Sequence, residues 1–282
     1  MKCIRTVPCY REARPEGILR EGDFNVILLP MNQIATGFKR FLRGPPSPPA
    51  DQHDSFPREP HHVHELLPEI VSVHSKKRIL DFGCGLGSDV LYLAQQGLNI
   101  VGVEIQEDFV THVNAEAGRL GLGVRAYHPD ALPSLGGFDV IYSMNSFEHF
   151  SDPSAILASM AQSLSFDGVV LIYFSPPWLH PYGAHLYYIT RIPWVHLFVP
   201  ERILMKWRSR YRSDGATRFE DVTGGMNRMT LRKFEQLVAA SPLQFVSQEY
   251  IPVKGIQAFT SNPITREFLC STVRAVLRHK RP

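Results

Sequence analysis

Short apolar runs alternate with amphipathic segments along the middle of the chain. Five runs have the length and the aliphatic and aromatic content of buried strands: RILDFGC, NIVGVEI, VRAYHPD, FDVIYSMNS and GVVLIYFS. Between them, GSDVLYLAQQG, EDFVTHVNAEAGRLG and SDPSAILASMAQSLSFDG carry apolar residues at helical spacing. This alternation of strands and helices predicts a parallel sheet with helices on both faces.

Turn and cap residues indicate where these helices begin and end. Gly97 and Gly121 follow the first two helices, and glycine commonly takes the left-handed conformation that ends a helix. Ser151 or Asp152 is the expected N-cap of the third helix, with Pro153 in its first turn. The boundaries of all three helices therefore follow from local signals.

The C-terminal part continues the same fold. TLRKFEQLVAASP predicts a helix capped by Thr230, and LQFVSQEYIPV and REFLCSTVRAVLRH are the last two predicted strands. We expect these two strands to form an antiparallel edge. The predicted fold class is α/β, with a Rossmann-like, mostly parallel sheet of seven strands and helices on both faces.

Two regions fall outside this alternation. Residues 1–60 form an N-terminal extension that ends in a linker, because residues 44–60 hold six prolines and proline fixes φ and lacks an amide donor. Residues 177–229 separate the fifth strand from the next helix. They are too long for a simple connection, so we expect a lid or substrate-binding insertion there. The main domain is expected to span residues 61–282.

Composition places the chain among ordinary globular proteins, with 44% hydrophobic and 20% charged residues in 282. The four cysteines show neither metal-ligand nor disulfide spacing, which favours a reducing, cytoplasmic setting. No apolar run reaches the roughly 18 residues of a transmembrane helix. We therefore expect no transmembrane segment.

Charge is unevenly distributed along the chain. Residues 61–200 hold 6 Lys/Arg and 13 Asp/Glu, whereas residues 201–282 hold 15 and 7. The basic third includes ERILMKWRSRYRS, an amphipathic segment that could cover an anionic substrate, lie on a membrane surface or pack on its own domain. A peripheral membrane contact or a lipid-like substrate therefore stays open.

The loop LDFGCGLG joins the first strand to the first helix and points to a ligand. Gly83, Gly85 and Gly87 let the backbone approach a ligand closely, and the following helix presents free amides. The spacing differs from the dinucleotide motif G-x-G-x-x-G, because Ser88 stands where the last glycine would be. Asp81 would repel a pyrophosphate and attract the ammonium group of an amino acid.

Two further acids follow the next two strands. Glu104 comes 21 residues after Gly83 and can accept hydrogen bonds from both hydroxyls of a ribose. Asp130 can accept from the exocyclic amine of adenine, while the amide of Ala131 donates to a ring nitrogen. An amino acid, a ribose and an adenine together make S-adenosylmethionine.

The motifs RILDFGCGLGSDVLYLAQQG, IVGVEIQEDFV, HPDALP and FDVIYSMNSFEHFSDP resemble those of class I S-adenosylmethionine-dependent methyltransferases. The resemblance is strongest to the small-molecule branch (methyltransferase type 11) that includes ubiquinone-pathway enzymes, and it covers residues 78–176 well. It implies that the methionine part of the cofactor lies against Asp81, Gly83, Cys84, Gly85 and Gly87. The ribose and one side of the adenine would lie against Glu104 and Ile105. The adenine edge would lie against Asp130 and Ala131, and the methyl group beside Asn145.

Three histidines are candidate catalytic residues because histidine exchanges protons near neutral pH. His149 follows the fourth strand, where it is either a base or a structural residue. His180 and His185 lie in SPPWLHPYGAH after the fifth strand, where Trp178 and Tyr182 could form an apolar wall. For this loop a proton-transfer role, substrate contact and simple packing all stay open. A metal site would need a third ligand, and we assign none.

The predicted function is methyl transfer from S-adenosylmethionine to a small-molecule or biosynthetic acceptor, first of all an oxygen nucleophile. SPPW resembles the Asn-Pro-Pro-aromatic loop of nucleic-acid methyltransferases, but it follows the fifth strand instead of the fourth, which disfavours a nucleic-acid partner. Two alternatives remain: an RNA, tRNA or other macromolecule methyltransferase, and a non-catalytic subunit that binds the cofactor.

Overall fold

The computed structural model describes residues 76–222, 224–253 and 262–281, together with Val63 and Ile70. Both isolated residues are fully buried. The N-terminal extension and the domain boundary expected at residue 61 lie outside the described residues.

The described part of the chain contains seven strands and eight α-helices. In chain order they are β1 Arg78–Phe82, α1 Ser88–Gln95, β2 Asn99–Val103, α2 Glu107–Arg119, β3 Ala126–Tyr127, α3 Leu132–Leu135, β4 Phe138–Met144, α4 Pro153–Ser163, β5 Leu164–Phe174, α5 Val195–Phe198, α6 Glu201–Arg208, α7 Leu231–Ala240, β6 Leu243–Pro252, α8 Pro263–Leu269 and β7 Cys270–His279. Short 3-10 helices span Pro129–Ala131 and Phe219–Asp221.

The seven strands form one sheet in the order β3-β2-β1-β4-β5-β7-β6. Strands β1 to β5 pair in parallel, and β7 runs antiparallel to both β5 and β6. The Rossmann-like, mostly parallel sheet of seven strands is confirmed. Because β7 lies between β5 and β6, the last strand in sequence is an interior strand and β6 forms the edge.

Three predicted strand boundaries were wrong. The fifth strand begins at Leu164 and includes LSFDG, the predicted end of the third helix. The third strand is only Ala126–Tyr127, since Pro129 lacks an amide donor and starts a 3-10 helix. The start of REFLCSTVRAVLRH is the end of α8, which Asn262 caps by accepting from the amides of Ile264 and Thr265. The final strand therefore begins at Cys270.

Helices cover both faces of the sheet, as expected. On one face, Leu157 and Met160 of α4 and Phe234 of α7 pack with strand residues in a cluster that includes the rings of Phe147 and Phe174. The other face packs against the buried sides of α1 and α2. Each phenylalanine buried in this way contributes about 1.5–3 kcal/mol.

Two helices begin at the residues expected from the sequence. The Asp152 side chain accepts from the amides of Ser154 and Ala155, with Pro153 at the first position of α4. Thr230 accepts from the Lys233 amide at the start of α7. These bonds satisfy amides that have no partner within a helix.

The insertion at residues 177–229, predicted to be a lid and called the lid below, carries α5 and α6 and no strand among its described residues. Leu204 and Trp207 of α6 are buried, so this helix packs on its own domain. Arg208 is also buried and forms two 2.6 Å hydrogen bonds with Asp214. Across the described residues, no helix is both long enough and apolar enough to span a membrane.

We expect Asp152→Ala to lower the free energy of unfolding by about 1 kcal/mol, because two amides of α4 lose their acceptor. The corresponding fall in melting temperature is about 2–4 °C for a domain of this size, measurable by calorimetry or circular dichroism. Asp152→Asn is the matched control, since asparagine keeps an acceptor oxygen. Equal losses in both variants would mean that the cap bond does not stabilise α4.

Candidate active site

The carboxyl ends of β1, β2 and β4 meet beside the loop that joins β1 to α1. The amides of Gly83 and Cys84 both donate to the Val103 carbonyl at the end of β2, at 2.8 and 3.0 Å. Gly83, Gly85 and Gly87 all have positive φ, at 87°, 52° and 76°. Ligands of open α/β sheets bind at this edge, where the strand order reverses, so the loop lies where a ligand is expected.

Glu104 holds this loop from the end of β2. Its side chain is buried, Oε2 accepts from the Gly85 amide at 2.9 Å, and Oε1 accepts from the Gln106 amide at 3.0 Å. Because a carboxylate oxygen has two acceptor positions, one position on each oxygen is left. The carboxylate can therefore accept two ribose hydroxyls without releasing the loop.

Gly85 leaves open space in the loop. Apart from Gly85 and its two chain neighbours, no heavy atom of the described residues lies within 4 Å of the position that a Cβ on Gly85 would occupy. Any side chain would fill this space, and its φ of 52° also favours glycine. A ligand can thus approach the backbone directly beside Glu104.

Asp81 lies on β1 below the loop and is 4% exposed. Its partner in the β1–β4 register, Tyr142, donates its hydroxyl to Oδ2 at 2.8 Å. Burial and the charges of Asp89 and Glu104 raise the pKa of Asp81 well above its ordinary value, and the Tyr142 hydrogen bond opposes them. A cation such as the ammonium group of an amino acid would favour the charged form of this carboxylate.

Cys84 and Ile105 flank the loop in different ways. Cys84 is buried, and burial raises the pKa of its thiol well above the ordinary value, so the side chain packs as a small apolar group. Ile105 is 70% exposed at the end of β2. It presents an apolar surface that a planar ring could cover.

Asp130 and Ala131 lie in the 3-10 helix after β3. The carboxylate of Asp130 is exposed and 3.1 Å from His128 Nδ1, while the Ala131 amide donates to the His128 carbonyl. This amide therefore already has a local partner. Asn145 is exposed at the end of β4 with a φ of 50°, and its amide donates to the Tyr173 carbonyl.

Glu148 is a buried acid in the loop after β4. It is 4% exposed, and neither carboxylate oxygen has a hydrogen bond of good geometry to a described residue. Burial raises the pKa of Glu148 to about 6, opposed by the neighbouring His149 and by the backbone amides of Glu148 and Ser175. An acid buried in this way favours its neutral form.

His149 has a defined hydrogen-bonding state. Its Nδ1 is 2.6 Å from the Gly225 carbonyl oxygen, which can only accept, so Nδ1 carries a proton. In the neutral ring Nε2 is then a proton acceptor, and it makes no hydrogen bond to any described residue. The His149 ring contacts that of His185 edge-on, with centroids 5.5 Å apart.

The loop SPPWLHPYGAH is folded into turns that place its histidines differently. His180 Nδ1 accepts from the Tyr182 amide at 3.0 Å, so its neutral ring carries the proton on Nε2. Burial and the nearby His196 lower its pKa to about 4. His185 Nε2 is buried without a partner among the described residues, and burial, with His149 and His180, lowers its pKa to about 3.

The aromatic residues of this loop contact the rest of the lid. The Trp178 ring meets His196 and Phe219 edge-on, with centroids 4.8 and 5.2 Å away, and the Tyr182 hydroxyl donates to the Arg191 carbonyl. Their observed contacts are thus internal to the lid. The described residues contain no group of three His, Cys, Asp or Glu side chains arranged to hold a metal ion.

The sequence did not reveal Tyr142, Gly225 or Asn227 as neighbours of the site. Tyr142 faces Asp81 only because of the register between β1 and β4. Gly225 and Asn227 reach the loop after β4 across more than 75 residues of chain. The adjacent glycines Gly224 and Gly225 were the one available signal, and they indicate a turn without naming its partner.

Comparison with known proteins places the chain in a family. The family described as "Methyltransferase domain" matches residues 52–248. The ubiquinone biosynthesis O-methyltransferase of Parvibaculum lavamentivorans is 35% identical over 98 residues, which cover 34% of this chain and 39% of that protein. A similar match to the Methylococcus capsulatus protein of the same name covers 39% of this chain and 49% of that protein. The chain thus spans less than half the length of these relatives.

A solved structure has the same fold. The YcgJ protein from Bacillus subtilis aligns with a TM-score of 0.50 and 18% identity, covering 79% of this chain and all of that chain. An identity this low supports the fold alone.

We expect Glu148→Gln to change how stability depends on pH. The raised pKa means that the folded state favours protonated Glu148, so its stabilising contribution is present below about pH 4.5 and is lost as the pH rises through about 6. Relative to the wild type, the Gln variant should gain about 2 kcal/mol between pH 4 and pH 7 in urea unfolding experiments. A difference that is the same at both pH values would contradict burial of the acid.

Proposed function

The chain belongs to the methyltransferase-domain family, and we propose that it transfers a methyl group from S-adenosylmethionine to a small-molecule acceptor. The observation that carries the proposal is the Glu104 carboxylate at the carboxyl end of β2. It accepts from the Gly85 and Gln106 amides and keeps a free acceptor position on each oxygen. The open space at Gly85 lies beside it. Glu104 fits a ribose, and the open space at Gly85 fits the amino-acid part joined to that ribose.

The amino group and the adenine face of the cofactor also have matching groups at the carboxyl ends of the strands. Asp81 is a buried acid whose described neighbours, Tyr142, Asp89 and Glu104, carry no positive charge. The ammonium group of the cofactor would supply that charge. Ile105 offers an exposed apolar surface for the adenine ring. The proposed cofactor residues are Asp81, Gly83, Cys84, Gly85 and Gly87 for the methionine part, Glu104 and Ile105 for the ribose and one side of the adenine, Asp130 and Ala131 for the adenine edge, and Asn145 beside the methyl group.

S-adenosylmethionine supplies a methyl group that is already activated on a sulfonium. The protein's own residues therefore align the acceptor, exclude water and remove a proton where the acceptor needs it. The relatives named above are O-methyltransferases, which supports an oxygen acceptor here. An acceptor hydroxyl loses its proton during transfer, so an oxygen acceptor calls for a base.

Among the three candidate histidines, His149 is the one we propose as that base. Its Nδ1–H donates to the Gly225 carbonyl, which leaves Nε2 to accept a proton. His180 has the opposite arrangement, with Nδ1 occupied by the Tyr182 amide and the proton on Nε2. His185 is buried beside His149 and has its pKa lowered to about 3, so we assign it to the wall of the acceptor site.

The basic C-terminal third offers limited support for a nucleic-acid substrate. Several of its arginines already pair with carboxylates of the chain. The pairs are Arg208–Asp214, Arg228–Glu201, Arg266–Glu235 and Arg274–Glu249. These internal pairs account for part of the positive charge without an external anion, so a small-molecule acceptor is favoured.

Isothermal calorimetry with S-adenosylhomocysteine tests the cofactor site. We expect the wild type to bind, and Asp81→Asn and Glu104→Gln each to weaken binding about tenfold or more, because each loses a hydrogen bond to a charged group. Glu116→Gln, on the exposed side of α2, is the matched control and should bind like the wild type. No binding by the wild type would refute the proposed function.

Transfer of tritium from methyl-labelled S-adenosylmethionine into a nuclease-treated, protein-free cell extract tests the reaction. We expect His149→Gln to lower the rate about a hundredfold or more, the usual contribution of a general base. His180→Gln should change it little. Cofactor binding without any transfer would favour a non-catalytic subunit, and loss of transfer after nuclease treatment would favour a nucleic-acid substrate.

A further inference from the structure

Residues 224–228, here called the return segment, bring the lid back to the sheet against the loop that follows β4. Four hydrogen bonds join the two. One connects His149 Nδ1 to the Gly225 carbonyl at 2.6 Å, and three come from Asn227. The candidate base is therefore in direct contact with the end of the lid.

Asn227 is the residue that joins the return segment to this loop. Its amide donates to the Glu148 carbonyl at 3.0 Å, and its Nδ2 donates to the carbonyls of Phe147 and Phe150 at 2.8 and 2.9 Å. These carbonyls lie outside helices and strands, so Asn227 supplies donors that regular structure does not. Lys233 on α7 donates in turn to the Asn227 carbonyl at 2.6 Å.

Close approach of the return segment depends on Gly225. Its φ is 73°, in the left-handed region, and a Cβ at this position would lie 2.8 Å from the His149 carbonyl oxygen. Any side chain would push the segment away from the loop. The Gly225 carbonyl can thus reach His149 Nδ1 because this residue is glycine.

We propose that Asn227 is a positioning residue of the active site: it holds the Gly225 carbonyl against His149 Nδ1 and so keeps the ring in the tautomer whose Nε2 accepts a proton. The catalytic meaning of this contact rests on the proposed function, whereas the contact itself does not. A carbonyl that fixes the protonated nitrogen decides which nitrogen of a neutral histidine is basic. Because the carbonyl belongs to the return segment, the contact that fixes this tautomer comes from the lid.

Long-range proton–nitrogen NMR of protein labelled with 15N in its histidine rings reads this tautomer directly. His149→Gln identifies the His149 signals. In the wild type above the titration range of the ring, we expect a protonated Nδ1 and an unprotonated Nε2 on His149. In Asn227→Ala we expect a mixture of both tautomers, because the Gly225 carbonyl is no longer held in place.

Asn262→Ala is the matched control, since Asn262 caps α8 and does not contact the loop after β4. It should leave the His149 signals unchanged. Lys233→Met removes the hydrogen bond to the Asn227 carbonyl and keeps the Asn227 side chain, so it should shift the tautomer in the same direction. It replaces Asn227→Ala as the test variant if Asn227→Ala does not fold. A His149 tautomer that is the same in the wild type and in both variants of this contact would overturn the proposal, as would a wild type protonated on Nε2.

Activity gives a second, separable readout. Asn227→Ala should bind S-adenosylhomocysteine like the wild type, because Asn227 lies outside the cofactor residues. It should transfer methyl groups about ten to a hundred times more slowly, as expected for a misplaced catalytic group. Normal transfer by a folded variant with mixed tautomers would show that this positioning does not matter. Failure of wild-type cofactor binding would instead refute the proposed function and leave the tautomer result standing.

Discussion

The carboxylate of Glu104 connects the loop after β1 to the loop after β2 in the candidate cofactor site. It accepts from Gly85 in the loop after β1 and from Gln106 after β2, so it ties neighbouring strand ends to one another. The loop backbone must then turn through the left-handed region, which glycine tolerates. Asp81 lies below this loop, and Asn145 lies across it at the end of β4. The course of the glycine loop therefore depends on this contact, together with the hydrogen bonds from the Gly83 and Cys84 amides to the Val103 carbonyl.

On the acceptor side of the site, hydrogen bonds join the return segment to the loop after β4. The loop after β4 carries Glu148 and His149, and four hydrogen bonds join it to Asn227 and Gly225 in the return segment. Lid and sheet are thus joined at the candidate base. Burial of Glu148 without good hydrogen bonds costs stability, and buried polar groups of this kind are concentrated at functional sites. Their presence here agrees with an acceptor site between the sheet and the lid.

Local chemistry explains why much of the fold could be predicted. Asp152 and Thr230 cap their helices through bonds to amides two or three residues away, so neither depends on the rest of the chain. The glycine loop and Glu104 are recognisable because parallel strands bring their carboxyl ends to one edge. The same local chemistry explains the errors, since Pro129 and the Asn262 cap changed two strand boundaries in ways that the apolar pattern does not show.

The sequence by itself determined the order of strands and helices, the glycine loop and the set of strand-end acids, because each depends on residues close together in the chain. Only the tertiary structure decided that Tyr142 donates to Asp81, that β7 lies between β5 and β6, and which nitrogen of His149 carries the proton. These features depend on register and on contacts between segments far apart in sequence. No local sequence pattern predicts them, because each contact forms only after folding brings its two partners together.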